Sequence, residues 1–262
     1  MIKENVGLDC SGYRDEYLKR RFEVRLRATA TNTYSRYVSY LNKHPEEFTQ
    51  LLNDLTINYT TFFRDTDVYE YLEKKLLPKL FLPKKPVTIW SAGCASGEEP
   101  YSLSILVHKL LGKNFINHPV TIIASDIDKD ALEKAQRGFY QARHLSTISP
   151  LMIEKFFDKQ DDGYVVKDFL KKIIQFEQFD LMTKPLHQNL DLILCRNVMI
   201  YFSKEGQQHI HMNFYHALRD GGYMITGKSE ILSGEPATAF TALDYITRVY
   251  QKPPKNSLSM NS

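Results

Sequence analysis

The pattern of apolar and polar positions changes near residue 78. Upstream, apolar residues recur at helical spacing. Over 13–28, Leu18, Phe22 and Leu26 fall at i, i+4 and i+8 among charged residues, which predicts a helix with one buried stripe. Segments 33–44 and 45–55 continue the style, with Pro45 at a helix start, where its missing N–H costs nothing. Residues 68–77 predict a further short amphipathic helix. Pro78, Pro83 and Pro86 then interrupt the helical period and mark a linker over 78–86. Downstream the texture alternates. Residues 87–91, 120–125, 190–195 and 222–226 read as buried strands. Residues 99–110, 128–137 and 203–218 read as helices, the last with Ile210, Phe214 and Leu218 on one face. Strands alternating with helices predict an α/β fold, a parallel sheet covered on both faces.

Asp161-Asp162-Gly163 is a turn signal between Phe156-Phe157 and Tyr164-Val165-Val166, which predicts a small β insertion, a hairpin, at about 155–182. The run 245–250 predicts a returning edge strand, and the polar, proline-led stretch 253–262 a disordered tail. The expected organisation is an all-helical domain over 1–77, a linker over 78–86, an α/β domain over 87–252 carrying the insertion, and the tail.

Composition narrows the function classes. With 262 residues and 43% apolar content, a sizeable core is expected. A net charge of +3 gives no reason to invoke nucleic acid or membrane. Cys10, Cys94 and Cys195 are odd in number and far apart, which argues against a disulfide framework and for a reducing compartment. The N-terminus lacks a signal-peptide core, and no apolar run approaches the ~20 residues that span a bilayer. A cytoplasmic monomer without membrane insertion is expected. His209, His211 and His216 lack the i, i+4 spacing of a helical metal pair, so no metal is expected.

The informative unit runs from Ile89 to Ser102, IWSAGCASGEEPYS. A glycine turn, here Gly93 and Gly97, between a first strand and a helix lets a ligand approach the backbone. The spacing is G-x-x-x-G, and the dinucleotide fingerprint is absent. Glu98 and Glu99 open the helix, where a pyrophosphate cofactor wants bare N–H groups. Two acids suit a cofactor with a cationic end, or complement the helix dipole. Asp126 ends the second strand, where a ribose diol is expected, and Asp128 is placed to cap the next helix. The alternative is a structural turn followed by two caps.

Four stretches in order make the pattern specific. These are 55–65 (LTINYTTFFRD), 90–102 (WSAGCASGEEPYS), 124–135 (ASDIDKDALEKA) and 195–202 (CRNVMIYF). Together they resemble the CheR-type chemotaxis receptor methyltransferases, over roughly residues 13–250. The resemblance implies an N-terminal helical domain and a Rossmann-like S-adenosylmethionine-dependent methyltransferase domain with a small inserted β subdomain. S-adenosylmethionine would be the methyl donor and S-adenosylhomocysteine the product. The cofactor pocket would draw on Asn58, Thr60, Arg64, Glu98, Asp126, Asn197 and Val198, beside the glycine turn. Asp180 and Leu181 stand where the family often has Asn-Leu, and Asp180 departs from that pattern. Ser91 replaces the strand-one acid of many other methyltransferases, leaving the cofactor's ammonium to Glu98.

The implied reaction methylates glutamate side chains on the cytoplasmic helices of methyl-accepting chemotaxis receptors. A glutamate carboxylate, with a pKa near ~4.3, is already ionised at neutral pH, so no general base is needed. Arg64 and Tyr201 are candidates for orienting it, the arginine by a bidentate fork. The plain alternatives are a surface pair with Asp65 or Asp67 for Arg64, and a core position for Tyr201. Arg14, Arg21 and Arg25 lie within about 40° around the helix axis and form a candidate receptor-docking strip, or a solvated basic face. The edge at Tyr164–Lys167 is a candidate site for a receptor's C-terminal peptide by strand addition. Two rivals remain: a methyltransferase of the same fold acting on another carboxylate or protein, and a non-catalytic module that senses S-adenosylmethionine.

Overall fold

A computed structural model of the chain describes residues 2–82, 85–112, 115 and 118–255. Its N-terminal part contains α1 (Ile2–Val6), α2 (Asp15–Ala28), α3 (Tyr34–Lys43) and α4 (Glu47–Leu55). The Thr33 side chain caps α3 by accepting from the Arg36 N–H. Tyr17, Leu26, Tyr37, Leu41, Phe48 and Leu51 are buried together. Leu18 and Phe22 flank that core half-buried, so Tyr17 rather than Leu18 heads the stripe. The Tyr17 hydroxyl donates to the Leu55 carbonyl at 2.8 Å, which resolves its burial.

Arg25 does not face outward as the docking strip requires. Its Nε and Nη2 fork onto Glu47, both at 2.8 Å, and Nη1 reaches Asp54 at 3.1 Å. The Tyr37 hydroxyl also donates to Glu47. Arg25 is therefore a strut between α2 and α4, and its expected docking role is corrected. Its partners lie on another helix, where a local helical pattern cannot register them. Burial alone would raise the Glu47 pKa, but the Arg25 fork and Tyr37 hydroxyl outweigh it and hold the carboxyl below its ordinary range. A depressed folded pKa means stability present above the unfolded pKa and lost as pH falls through the folded value. Arg25→Ala is expected to cost about 2–4 kcal/mol in denaturant unfolding. The same change at exposed Arg20 should stay within about 0.5 kcal/mol.

The helix expected over 68–77 runs on. α5 (Thr66–Tyr71) passes through a π-helical turn, Leu72–Leu76, into α6 (Leu77–Phe81). Pro78 lies in the first turn of α6 and so does not end the helical run, which corrects the linker's start. In the π turn the Leu77 N–H bonds back five residues to Leu72. Val68, Leu72, Leu76, Leu77 and Leu80 pack in one core with the sheet that follows, so the packing boundary falls upstream of this helix rather than at 77/78. Positions 83–84 of the expected linker lie outside the described residues.

The remaining elements are β1 (Val87–Ala92), α7 (Glu98–Leu111), β2 (Val120–Asp126), α8 (Lys129–Arg137), β3 (Phe139–Gln141), α9 (Pro150–Phe156), β4 (Phe157–Gln160), β5 (Gly163–Val166), α10 (Asp168–Lys171), β6 (Ile174–Gln178), β7 (Leu190–Cys195), α11 (Lys204–Ala217), β8 (Leu218–Thr226), α12 (Glu235–Ala239), β9 (Thr241–Asp244) and β10 (Val249–Gln251). The main sheet has the order β6-β2-β1-β7-β8-β10-β9. Its first five strands are parallel, and β10 runs antiparallel to both of its neighbours, β8 and β9. Successive residues of β1 feed opposite faces: Ile89 joins one core and Trp90 the other. That double coverage explains why the central strands read as continuous apolar runs.

The β insertion differs from its expected limits. Its sheet has the order β3-β5-β4 and begins at Phe139, while β6 pairs with β2 in the main sheet. β5 is the middle strand, so Tyr164–Lys167 offers no free edge; the edges are β3 and β4. The run 245–250 is likewise not an edge strand. Tyr245 and Ile246 are exposed in the turn after β9, and β10 lies between β8 and β9. Of the expected tail, 256–262 lie outside the described residues, and Lys255 reaches Asp220 at 3.9 Å.

The helical part is bonded to the sheet beside the strand ends. Tyr13 bridges Phe202, with ring centroids 4.4 Å apart, and the Arg14 N–H donates to the Tyr201 carbonyl at 3.0 Å. The Ser203 N–H returns a bond to Gly12 at 2.8 Å. Among the described residues, no helix is long and apolar enough to cross a membrane.

Candidate cofactor and acceptor site

The carboxyl ends of β1, β2 and β7 open into a cavity of about 880 Å³. The chain turns to opposite sides of β1 to make β2 and β7, so this is the crevice where open α/β sheets bind ligands.

Gly93 follows β1 with φ +80°, and a Cβ there would lie 2.5 Å from a Val198 methyl. Glycine is therefore required both by conformation and by the approach of the loop after β7. The Gly93 and Cys94 N–H groups donate to the Ser125 carbonyl. Asp126 then holds the turn, accepting from the Ala95 N–H at 2.8 Å with one oxygen and the Asp128 N–H at 3.0 Å with the other. Burial raises its pKa, and those two N–H groups oppose the rise. Asp128 caps α8 through the Ala131 N–H, as expected, and also accepts from Thr56 and Asn58. Asn58 lines the cavity, but its amide is directed to Asp128.

Nine of the eleven expected cofactor residues line this cavity, namely Asn58, Thr60, Arg64, Gly93, Asp126, Asp180, Leu181, Asn197 and Val198, and Tyr201 of the expected acceptor pair lines it too. Gly97 and Glu98 do not. Gly97 has φ +96° and packs against α8, where a Cβ would stand 2.8 Å from that of Ala135. Glu98 is buried and accepts from Ser96 at 2.7 Å; burial pushes it up to about 7, against Ser96 and a backbone N–H. Glu99 faces the cavity instead, held by Ser91 at 2.8 Å and Arg196 at 3.4 Å. Of the two acids that open α7, Glu99 rather than Glu98 lines the cavity. Adjacent acids on a helix point about 100° apart, and a helix buried almost all round gives no phase to choose between them.

Arg196 was not anticipated as a site residue. Its Nη2 donates to Asp65 at 2.6 Å and to the Arg64 carbonyl at 2.8 Å, and its guanidinium lies 5.7 Å from the Tyr69 ring centre. The only sequence signal was its place in the Cys195-Arg196-Asn197 motif. Asp65 is thereby taken, Asp67 pairs with Lys228, and Arg64 donates to the Tyr59 carbonyl. The surface-pair alternative for Arg64 does not hold. Asp180 accepts from the Asp9 and Met182 N–H groups, an anchoring role that an asparagine oxygen would fill only in part.

Charge is layered across the cavity. Glu99, Asp126 and Asp180 line it, and the Asn197 Oδ1 is buried without a partner among the described residues. Ile127, Phe179, Leu181 and Val198 supply apolar surface. Tyr201 is half-buried, with its ring 5.0 Å from that of Tyr17. Burial raises the Tyr201 pKa, with Tyr17 and Glu230 adding to the rise and Arg21 and Arg64 opposing it. Acids, an orphaned carbonyl oxygen and apolar walls fit a ligand with a cation, hydroxyls and an aromatic base. They do not fit a pyrophosphate. Among the described residues, no group of three or more His, Cys, Asp or Glu could hold a metal ion.

The Rossmann-like sheet and the family's cofactor domain define an S-adenosylmethionine-dependent methyltransferase. Residues 58–247 match the family model for the CheR methyltransferase SAM binding domain, and residues 1–56 that for the CheR methyltransferase all-alpha domain. The chain belongs to the CheR methyltransferase family. The boundary between the two matches falls at the Thr56–Asn58 segment that is bonded to Asp128. The chain is 30% identical over 244 residues to a chemotaxis protein methyltransferase of Borreliella burgdorferi, covering 89% of this chain and 86% of that one. It is 32% identical over 231 residues to that of Listeria monocytogenes, covering 88% and 87%. It is 32% identical over 241 residues to that of Salmonella typhimurium, covering 89% and 82%.

Proposed function

We propose that this methyltransferase esterifies glutamate side chains on the cytoplasmic helices of chemotaxis receptors. The observation that carries the reading is the placement of Arg64 and Tyr201 in the wall of the cavity that also holds Glu99, Asp126 and Asp180, with the Tyr201 ring 5.0 Å from that of Tyr17, over which the Arg21 guanidinium lies at 5.3 Å. An acidic acceptor is drawn to that side, and the cationic cofactor to the other.

S-adenosylmethionine supplies an electrophilic sulfonium methyl group. The carboxylate oxygen bonds the methyl carbon as the C–S bond breaks, and the electron pair stays on sulfur. No proton moves, in keeping with a cavity lining that shows no nucleophile–base pair among the described residues. Glu99, Asp126, Asp180, Asn197 and Val198 are assigned to holding the cofactor. Arg64 and Tyr201 are assigned to the acceptor, aligning it rather than activating it. Arg14, which donates to the Phe202 carbonyl, and Arg21, stacked 5.3 Å over Tyr17, remain the docking arginines, now without Arg25. A receptor's C-terminal peptide would add at β3 or β4.

Incubation with methyl-labelled cofactor and receptor cytoplasmic fragments should yield alkali-labile label released as methanol. Binding of cofactor with no transfer to any fragment would favour the sensor reading. Tyr201→Phe is expected to lower kcat/KM for the acceptor roughly 10- to 100-fold, the worth of one hydrogen bond to a charge. Its cofactor Kd should stay within about twofold; an equal loss of both would place Tyr201 on the cofactor side.

A further inference from the structure

We infer that Glu230 is a positioning residue, which sets the cofactor-facing loop after β7 by acting as a remote cap for its backbone. The inference rests on reading the cavity as the S-adenosylmethionine site. Glu230 is 5% exposed, yet no cation touches its carboxylate in any described bond or ion pair. Its partners are backbone N–H groups. One oxygen accepts from Met199 at 2.8 Å, and the other from Asn197 at 2.9 Å and Gly227 at 2.6 Å.

The loop needs such a holder. Asn197 has φ +62°, a conformation unfavourable for most residues. The turn Met199–Tyr201 starts from Val198, which provides no side-chain cap. Glu230 fills that vacancy from 31 residues away. It also reaches back past Gly227, where a Cβ would stand 2.6 Å from the Glu230 carboxylate and 2.8 Å from the Asn197 nitrogen. Gly227 therefore makes the room that the carboxylate occupies. The turn is closed locally by the Glu230 N–H to the Gly227 carbonyl and by the Thr226 hydroxyl to the Glu230 carbonyl. The device joins the loop after β7, bearing Asn197 and Val198, to the loop after β8.

Charge and shape both matter. Both oxygens must accept, so Glu230→Gln places an amide donor against a backbone donor in either orientation. This isosteric change is expected to raise the Kd for S-adenosylhomocysteine roughly 10- to 50-fold. Gly227→Ala should do the same by displacing the carboxylate. The two changes disable one device, so the double variant should resemble the worse single variant. Titration calorimetry on the full chain measures each Kd, alongside thermal unfolding of the ligand-free proteins. Unchanged affinity in both folded single variants, or fully additive losses in the double variant, overturns the positioning role. If the Gln variant does not fold, Gly227→Ala carries the test, with hydrogen exchange on the unaltered chain as a second measurement. The Asn197, Met199 and Gly227 amides should be among its slowest loop amides, and fast exchange at all three overturns the proposal. Failure of the unaltered chain to bind S-adenosylhomocysteine would instead sink the reading of the cavity.

Discussion

Replacing Arg196 with methionine is expected to lower the free energy of unfolding by about 3–5 kcal/mol, the cost of leaving one partner of a buried ion pair behind. Methionine keeps length and apolar bulk, so the loss isolates the charge rather than a cavity. Glu99 would keep only the Ser91 hydroxyl, and Asp65 and the Arg64 carbonyl would lose their shared donor. Burial already raises the Glu99 pKa, with Arg196 the main opposing influence. Removing that opposition raises it further. A group whose folded pKa exceeds its unfolded value favours the fold below the unfolded pKa, and that contribution disappears as pH rises through the folded value. The deficit of the variant should therefore be smaller near pH 5 than near pH 8. Denaturant titration at the two pH values checks this, and an equal deficit at both would point away from Glu99.

Replacing Asp126 with alanine is expected to weaken cofactor binding by roughly 10²–10⁴-fold. Each carboxylate oxygen already accepts one backbone N–H and retains a lone pair for a hydroxyl. Hydrogen bonds to a charged group are worth about 1.5–3 kcal/mol each, and two would be lost. The Ala95 and Asp128 N–H groups would also be left buried, loosening the turn that Gly93 begins. Calorimetry with S-adenosylhomocysteine gives the affinity, and a change below about tenfold would remove Asp126 from the contact set.

The two predictions differ in how far sequence anticipates them. Asp126 is visible because it ends an apolar run before a capped helix, and topology alone then delivers it to the crevice. Arg196 sits in a recognisable motif, but its partners at 65 and 99 are set by tertiary packing. The same holds for Arg25, whose helical-wheel position suggests solvent until α4 brings Glu47 beneath it. The hairpin of β4 and β5 is announced by Asp161-Asp162-Gly163. The third strand, β3, has only three residues, too few to show a period, so the middle strand passes for an edge. Glu230 carries no local signal, because its work is done on a loop more than thirty residues earlier.

The join between Tyr13–Arg14 and Tyr201–Phe202 has a thermodynamic consequence. Tyr13 is both a wall of the cavity and part of the bridge that seats the helical segment. A ligand in the cavity and a partner gripping α2 therefore act on one shared contact. If engagement of α2 by a partner tightens that contact and the cofactor binds the tightened form better, cofactor affinity rises, and bound cofactor must increase affinity for the partner by the same factor. Methyl donor and target would then be sensed together, with occupancy by one preparing the protein for the other.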